Sequence, residues 1–157
     1  MEPFPASPEP EYRPDAKGPA PASVQNAVKL IWVGVAVGLL STVLSILFVD
    51  DFVDQIMGSD SGLSESQARA AFYLSLVITT IITVALTALF AYFIGKGANW
   101  ARIVYTVLGV VGLLFTLPAI GNQPGLFVIF TLVGLAITVV TIFLLFRPES
   151  NAYFKKA

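Results

Sequence analysis

Asp50, Asp51 and Asp54 are the densest group of potential ligands in the chain, three carboxylates within five residues. Hard cations such as Ca²⁺ and Mg²⁺ take several oxygen ligands, so the trio is a candidate cation site, although its spacing is not that of an EF-hand loop. The plain alternative is three solvated acids that keep their loop out of the membrane. A second group is the hydroxyl row Ser75, Thr79, Thr83 and Thr87, recurring every four residues and therefore sharing one face of a helix. Such a row can pack against another helix or line a path for an uncharged solute. The chemical repertoire ends there. With no His and no Cys, the chain lacks imidazole bases, thiol nucleophiles, disulfides and the commonest zinc ligands. The remaining acids, Lys and Tyr show no convergent spacing, and Gly95-Lys96-Gly97 is too short for a phosphate loop. No catalytic residue and no cofactor are expected, and the chain reads as a non-enzyme.

The elements that carry these residues follow from composition. Of 157 residues, 56% are apolar and only 12% charged, about half the charge of an ordinary soluble domain. Four runs contain no Asp, Glu, Lys or Arg: 30–49, 72–94, 103–120 and 126–146. A helix needs about 20 such residues to cross the hydrocarbon of a bilayer. Backbone polar groups in lipid must pair internally, so these runs are helices despite their many Val, Ile and Thr. The expected fold is an all-α integral membrane protein, an antiparallel four-helix transmembrane bundle spanning 24–157. A cleaved signal peptide is not expected, since the first run is too long and lacks a small-residue cleavage motif. The net charge of −1 gives no reason to expect a nucleic-acid partner.

Basic residues orient the spans. Arg13, Lys17, Lys29, Lys96, Arg102, Arg147, Lys155 and Lys156 fall on one side and only Arg69 on the other. The positive-inside rule then places both termini in the cytoplasm, with a plasma (inner) membrane as the expected location. Trp32 and Trp100 fall near the inner interface, where an indole sits well among headgroups. With Arg102, Tyr153, Lys155 and Lys156 they are expected to act as interfacial anchors.

Residues 1–23 hold seven of the ten prolines, the composition of a disordered cytoplasmic tail. Pro5 and Pro8 have the P-x-x-P spacing that can dock in an aromatic groove, though a plain spacer explains them as well. In the external loop, Phe52, Val53, Ile56 and Met57 alternate with acids at helical spacing. The first helix is therefore expected to continue as an amphipathic turn or two at the interface. Ser64 and Gln67 form a capping box that would start the second helix near Glu65. The short hairpin before Trp100 presses the second and third helices together. The third helix is expected to end near Pro118, and Pro148 to stop the fourth.

Small residues mark where helices can approach. Gly34 and Gly38 form a G-x-x-x-G in the first span, loosely extended by Ser41 and Ser45, and the fourth carries Thr131, Gly134, Thr138 and Thr141. Packing within one bundle, a face for a second copy or a partner protein, and a polar conduit are the three uses open to them. No ionisable group lies in any span, unlike the mid-membrane charges that ion-coupled transporters keep. Compact four-span drug exporters share the helix number but depend on a carboxylate in the first span, which 30–49 lacks.

Two stretches, Asn99-Trp100-Ala101-Arg102-Ile103 and Phe146-Arg147-Pro148-Glu149-Ser150-Asn151-Ala152-Tyr153-Phe154, resemble small uncharacterised four-span inner-membrane proteins of bacteria, which often carry a Pro-rich cytoplasmic N-terminus. The resemblance implies a bacterial plasma-membrane location and transfers no active residue. The expected function is a non-catalytic interaction or accessory subunit in the lipid bilayer that associates with itself or a larger membrane complex through its small-residue faces. The alternative is a small channel or transporter for an uncharged or lipophilic solute. What separates them is whether the threonine face of the second span meets a helix or a cavity.

Overall fold

The computed structural model describes residues 18–59 and 62–155. It is all-α, with helices α1 (Ala22–Leu47), α2 (Val49–Met57), α3 (Glu65–Gly95), α4 (Asn99–Ala119), α5 (Gly125–Leu145) and α6 (Pro148–Lys155), and a 3₁₀ turn at Ile120–Asn122 between α4 and α5. No strand occurs among the described residues. Helices α1, α3, α4 and α5 contain the four uncharged runs and are long and apolar enough to cross a membrane. Their outer faces suit lipid: Leu47, Leu74, Ile81, Phe115 and Phe143 are 63–78% exposed, an apolar surface that water would not tolerate.

The Pro-rich segment through residue 17, with Pro5 and Pro8, lies outside the described residues. Its expected boundary at 23 is too late, because α1 begins at Ala22. Pro21 sits extended just before the helix and its carbonyl accepts the Gln25 N–H at 3.0 Å. The Gln25 side chain donates to the Ala20 carbonyl at 2.7 Å.

At the other end of α1 the helix breaks instead of continuing. Phe48 leaves helical geometry (φ −108°, ψ 31°), and α2 folds over as a separate amphipathic helix. The turn lets Val49 and Val53 bury against Ala68 and Phe72 of α3, apolar contact that a straight extension into water would forgo. Phe52 stacks on Phe72 at 5.3 Å and meets Phe127 of α5 edge-on at 5.0 Å. The Gln55 amide donates to the Asn122 carbonyl at 2.8 Å. Thus α2 closes its end of the bundle.

Helix α3 starts at Glu65, where Ser64 and Gln67 satisfy each other's backbone N–H groups in a capping box. Ser64→Ala is expected to cost about 1 kcal/mol. Hydrogen exchange should quicken at 65–68 and stay unchanged through the rest of α3. The same helix ends in a Schellman turn: Ala98 N–H bonds to the Phe93 carbonyl and Gly97 N–H to the Ile94 carbonyl, both at 2.9 Å. Gly97 supplies the left-handed residue this closure needs (φ 76°).

The four long helices form a ring. α1 packs most closely on α5 and α3, and α4 completes the ring through lighter contacts with α3 and α5. Where the two termini approach each other, Ala27, Ile31, Ile94, Ala101, Leu145 and Phe154 form one buried cluster drawn from five helices. The C-terminal segment, expected as an interfacial anchor, docks on the bundle as a helix. Pro148 does not merely stop α5 but opens α6 as its first residue, where its missing N–H does no harm. α6 folds back so that Phe154 is 2% exposed, the buried Ser150 hydroxyl pairs with that of Ser23 at 2.7 Å, and the Tyr153 hydroxyl donates to the Gly95 carbonyl at 3.0 Å.

Candidate functional site

Inside the bundle lies a partly open cavity of about 880 Å³ lined by α1, α3, α4 and α5. On α1 its lining runs from Ile31 to Ser45 and on α3 from Leu76 to Phe90, about 21 Å of each helix. No Asp, Glu, Lys or Arg contributes among the described residues. The walls are mainly Leu, Val, Ile and Gly, with hydroxyls set at intervals.

Of the row on α3, the structure brings Thr79, Thr83 and Thr87 to the cavity and adds Thr80. Ser75 is not part of the lining; its hydroxyl turns back to the Phe72 carbonyl at 2.9 Å. On the other walls most hydroxyls are engaged, the exceptions among the described residues being Ser41 and Thr116. Thr42 bonds to the Gly38 carbonyl, Ser45 to that of Ser41, and Thr138 to that of Gly134, at 2.9–3.0 Å. Thr131 donates to the Gln123 side chain at 2.7 Å. Among the described residues, Thr79, Thr80, Thr83 and Thr87 make no side-chain hydrogen bond, so four donors and acceptors stand ready along one wall.

The glycines divide into two kinds. A Cβ on Gly34 would lie 3.5 Å from Ile137 of α5, ordinary contact within one chain. Around Gly38 and Gly134, by contrast, no neighbouring atom lies within 4 Å, and both line the cavity. The residues singled out as helix-packing faces, Ser75 excepted, therefore turn toward the cavity, and most of them face open space. Sequence reading missed two glycines of α4. A Cβ on Gly112, which lines the cavity, would have nothing within 4 Å, while one on Gly109 would sit 3.1 Å from both Thr138 and Ile142 of α5. The only available signal was that both are helix-interior glycines, which propensity alone disfavours.

The acidic trio is not assembled into a cation site. Asp50 is drawn to Arg69 at 2.7 Å, Arg69 also reaches Glu65 at 3.4 Å, and no group of three acidic side chains suited to a metal converges among the described residues.

At the termini-bearing end, Trp32 and Trp100 are each 49% exposed on the outer surface. Trp100 also packs against Phe93 at 5.1 Å. Arg102 points inward instead, and its guanidinium donates to the Asn151 side chain at 2.7 Å and to the Leu145 carbonyl at 3.3 Å. It lies over the rings of Phe146 and Phe154 at 4.6 and 4.7 Å. Lys155 closes α6 as its last residue, and Lys156 lies outside the described residues.

The fold and its inward cavity define a multi-pass, all-α membrane protein with a hydroxyl-bearing interior. Compared with known proteins, the chain matches no family model, no curated protein and no solved structure.

Proposed function

We propose that this protein binds an uncharged solute in its cavity within the membrane and passes it across when the closed ends of the bundle open. One observation carries the reading: Thr79, Thr83 and Thr87 face open volume rather than a neighbouring helix, with their hydroxyls unengaged. A lining free of charged side chains suits a neutral solute, since a charge at mid-membrane costs at least about 3 kcal/mol unless it is paired. The volume lies within the range of about 300–1,000 Å³ typical of sites for small organic ligands.

The proposed setting is a bacterial plasma membrane, with both termini in the cytoplasm. Lys29, Lys96, Arg102, Arg147 and Lys155 belong to the termini-bearing end, and Arg69 is the one Lys or Arg of the opposite end among the described residues. That asymmetry is the one the positive-inside rule reads.

In proteoliposomes, replacing Thr79, Thr83 and Thr87 together by Val is expected to reduce the flux of a small neutral solute such as glycerol by at least about tenfold, equivalent to 1.4 kcal/mol. Val preserves shape and removes only the hydroxyls. An unchanged flux would remove this reading. The second reading, an accessory subunit associating through helix faces, would then stand on the outward surface of α4, the most lightly packed span, where Phe115 is 78% exposed.

A further inference from the structure

We propose that the cavity holds a neutral, single-chain lipid of the monoacylglycerol type, which enters sideways from the bilayer between α3 and α4. The proposal rests on the solute-binding reading and names its ligand and route. Shape comes first. A cavity extending about 21 Å along the helices has the length of an extended hydrocarbon chain.

Chemistry narrows the ligand. The α4 and α5 walls offer Leu108, Leu113, Leu135 and Ile137 to a chain, while the α3 wall offers the unengaged hydroxyls of Thr79, Thr80, Thr83 and Thr87. A hydroxyl both donates and accepts, so this wall matches ester and hydroxyl groups. Lys and Arg are missing from the lining, so a phosphate group would find no counter-charge there.

The route follows from where the bundle is shut. One end is sealed by the cluster around Ile31, Ile94 and Phe154, and the other by α2 with Phe52 wedged between Phe72 and Phe127. The ring contacts between α3 and α4 all lie near their hairpin, at Phe90–Trp100, Phe90–Tyr105 and Phe93–Trp100. Farther along the seam, Leu86 and Leu108 lie equally far from Gly97 and would cover each other if the helices met. They line the cavity yet remain 46% and 50% exposed. This seam is where we place the opening, on a side of the bundle that faces lipid.

The glycines give an independent reason for an occupant. Gly38, Gly112 and Gly134, on three different helices, all line the cavity with no neighbouring atom within 4 Å. A helix-interior Gly is about 1 kcal/mol less favourable than Ala. An Ala methyl would fit at each, so close helix packing does not explain them; they keep volume available.

The test uses full-length protein reconstituted in phosphatidylcholine vesicles containing monoolein, with bound lipid identified by native mass spectrometry after extraction. Wild type is expected to retain one monoolein. Gly38→Leu/Gly134→Leu, which narrows the cavity from two walls, should retain at least about tenfold less, with circular dichroism and particle size verifying its fold. Thr83→Val, a conservative change, should lower retention several-fold. Retention of phosphatidylcholine in place of monoolein by wild type, or equal retention by the folded, cavity-narrowed variant, would overturn the proposal. The cysteine-free background permits a second arm, in which Leu86→Cys and Leu108→Cys are bridged by a cleavable bis-maleimide. Monoolein uptake should fall on bridging and return on cleavage, and uptake indifferent to the bridge would overturn the route. Glycerol flux sensitive to the Thr→Val changes without monoolein retention would overturn the lipid proposal and leave the solute-binding reading intact. Absence of both flux and retention would remove both.

Discussion

Gly109→Leu is expected to destabilise the bundle by about 3 kcal/mol, while Gly112→Leu, three residues along the same helix, should leave it equally stable or more so. At Gly109 even a Cβ would stand 3.1 Å from the Thr138 and Ile142 side chains, and the remaining Leu atoms would press further on α5. Lipid offers no hydrophobic force to press the helices back together, so lost van der Waals contact is not recovered. At Gly112 the added side chain enters the cavity and meets no neighbour within 4 Å of its Cβ. Replacing a helix-interior Gly contributes up to about 1 kcal/mol of its own. Reversible unfolding in mixed micelles, followed by circular dichroism, measures both. Destabilisation of similar size in the two variants would mean that α4 packs as tightly at Gly112 as at Gly109.

Arg102→Ala should be the most disruptive single change at the termini-bearing end, costing about 2–4 kcal/mol. Arg102 joins three elements at once: it extends from the first turn of α4, donates to the last carbonyl of α5 at Leu145, and holds Asn151 of α6. Its guanidinium also covers the Phe146 and Phe154 rings. Removing it leaves the Leu145 carbonyl without this donor and strips two aromatic faces of their cation. Arg102→Lys should recover only part of the loss, because a point ammonium cannot reach both acceptors and stack as the planar fork does. The signature is local as well as global: amide exchange across 148–155 should quicken well before α3 or α5 is affected. If exchange in α6 were unchanged, the aromatic packing of Phe154 alone would be holding it.

Much of the architecture was legible because it depends on short stretches of chain. The four uncharged runs identified the long helices, since length and apolarity are local properties and the bilayer admits few alternatives to helix. Ser64 and Gln67 located the start of α3, because a capping box acts across three residues. The amphipathic spacing at 52–57 marked α2 correctly as a helix, but not the break at Phe48, which depends on Ala68 and Phe72 of another helix. The docking of α6 was missed for the same reason. Tyr153 and Phe154 beside two lysines look like interfacial anchors until α1, α3 and α4 supply the pocket that buries Phe154.

The candidate site shows the same division at the level of single residues. That the Thr79, Thr83 and Thr87 hydroxyls share one helix face follows from spacing, and that the spans carry no charge follows from composition. Whether that face meets a helix or a void does not. Gly34, Gly38, Gly109 and Gly112 are chemically identical, yet one contacts Ile137, one crowds α5 and two border empty space. Helix periodicity acts over a few residues and is written in the chain. The gap between helices depends on side chains from α1, α3, α4 and α5 that meet only when the ring closes, and tertiary packing alone decided where the cavity lies.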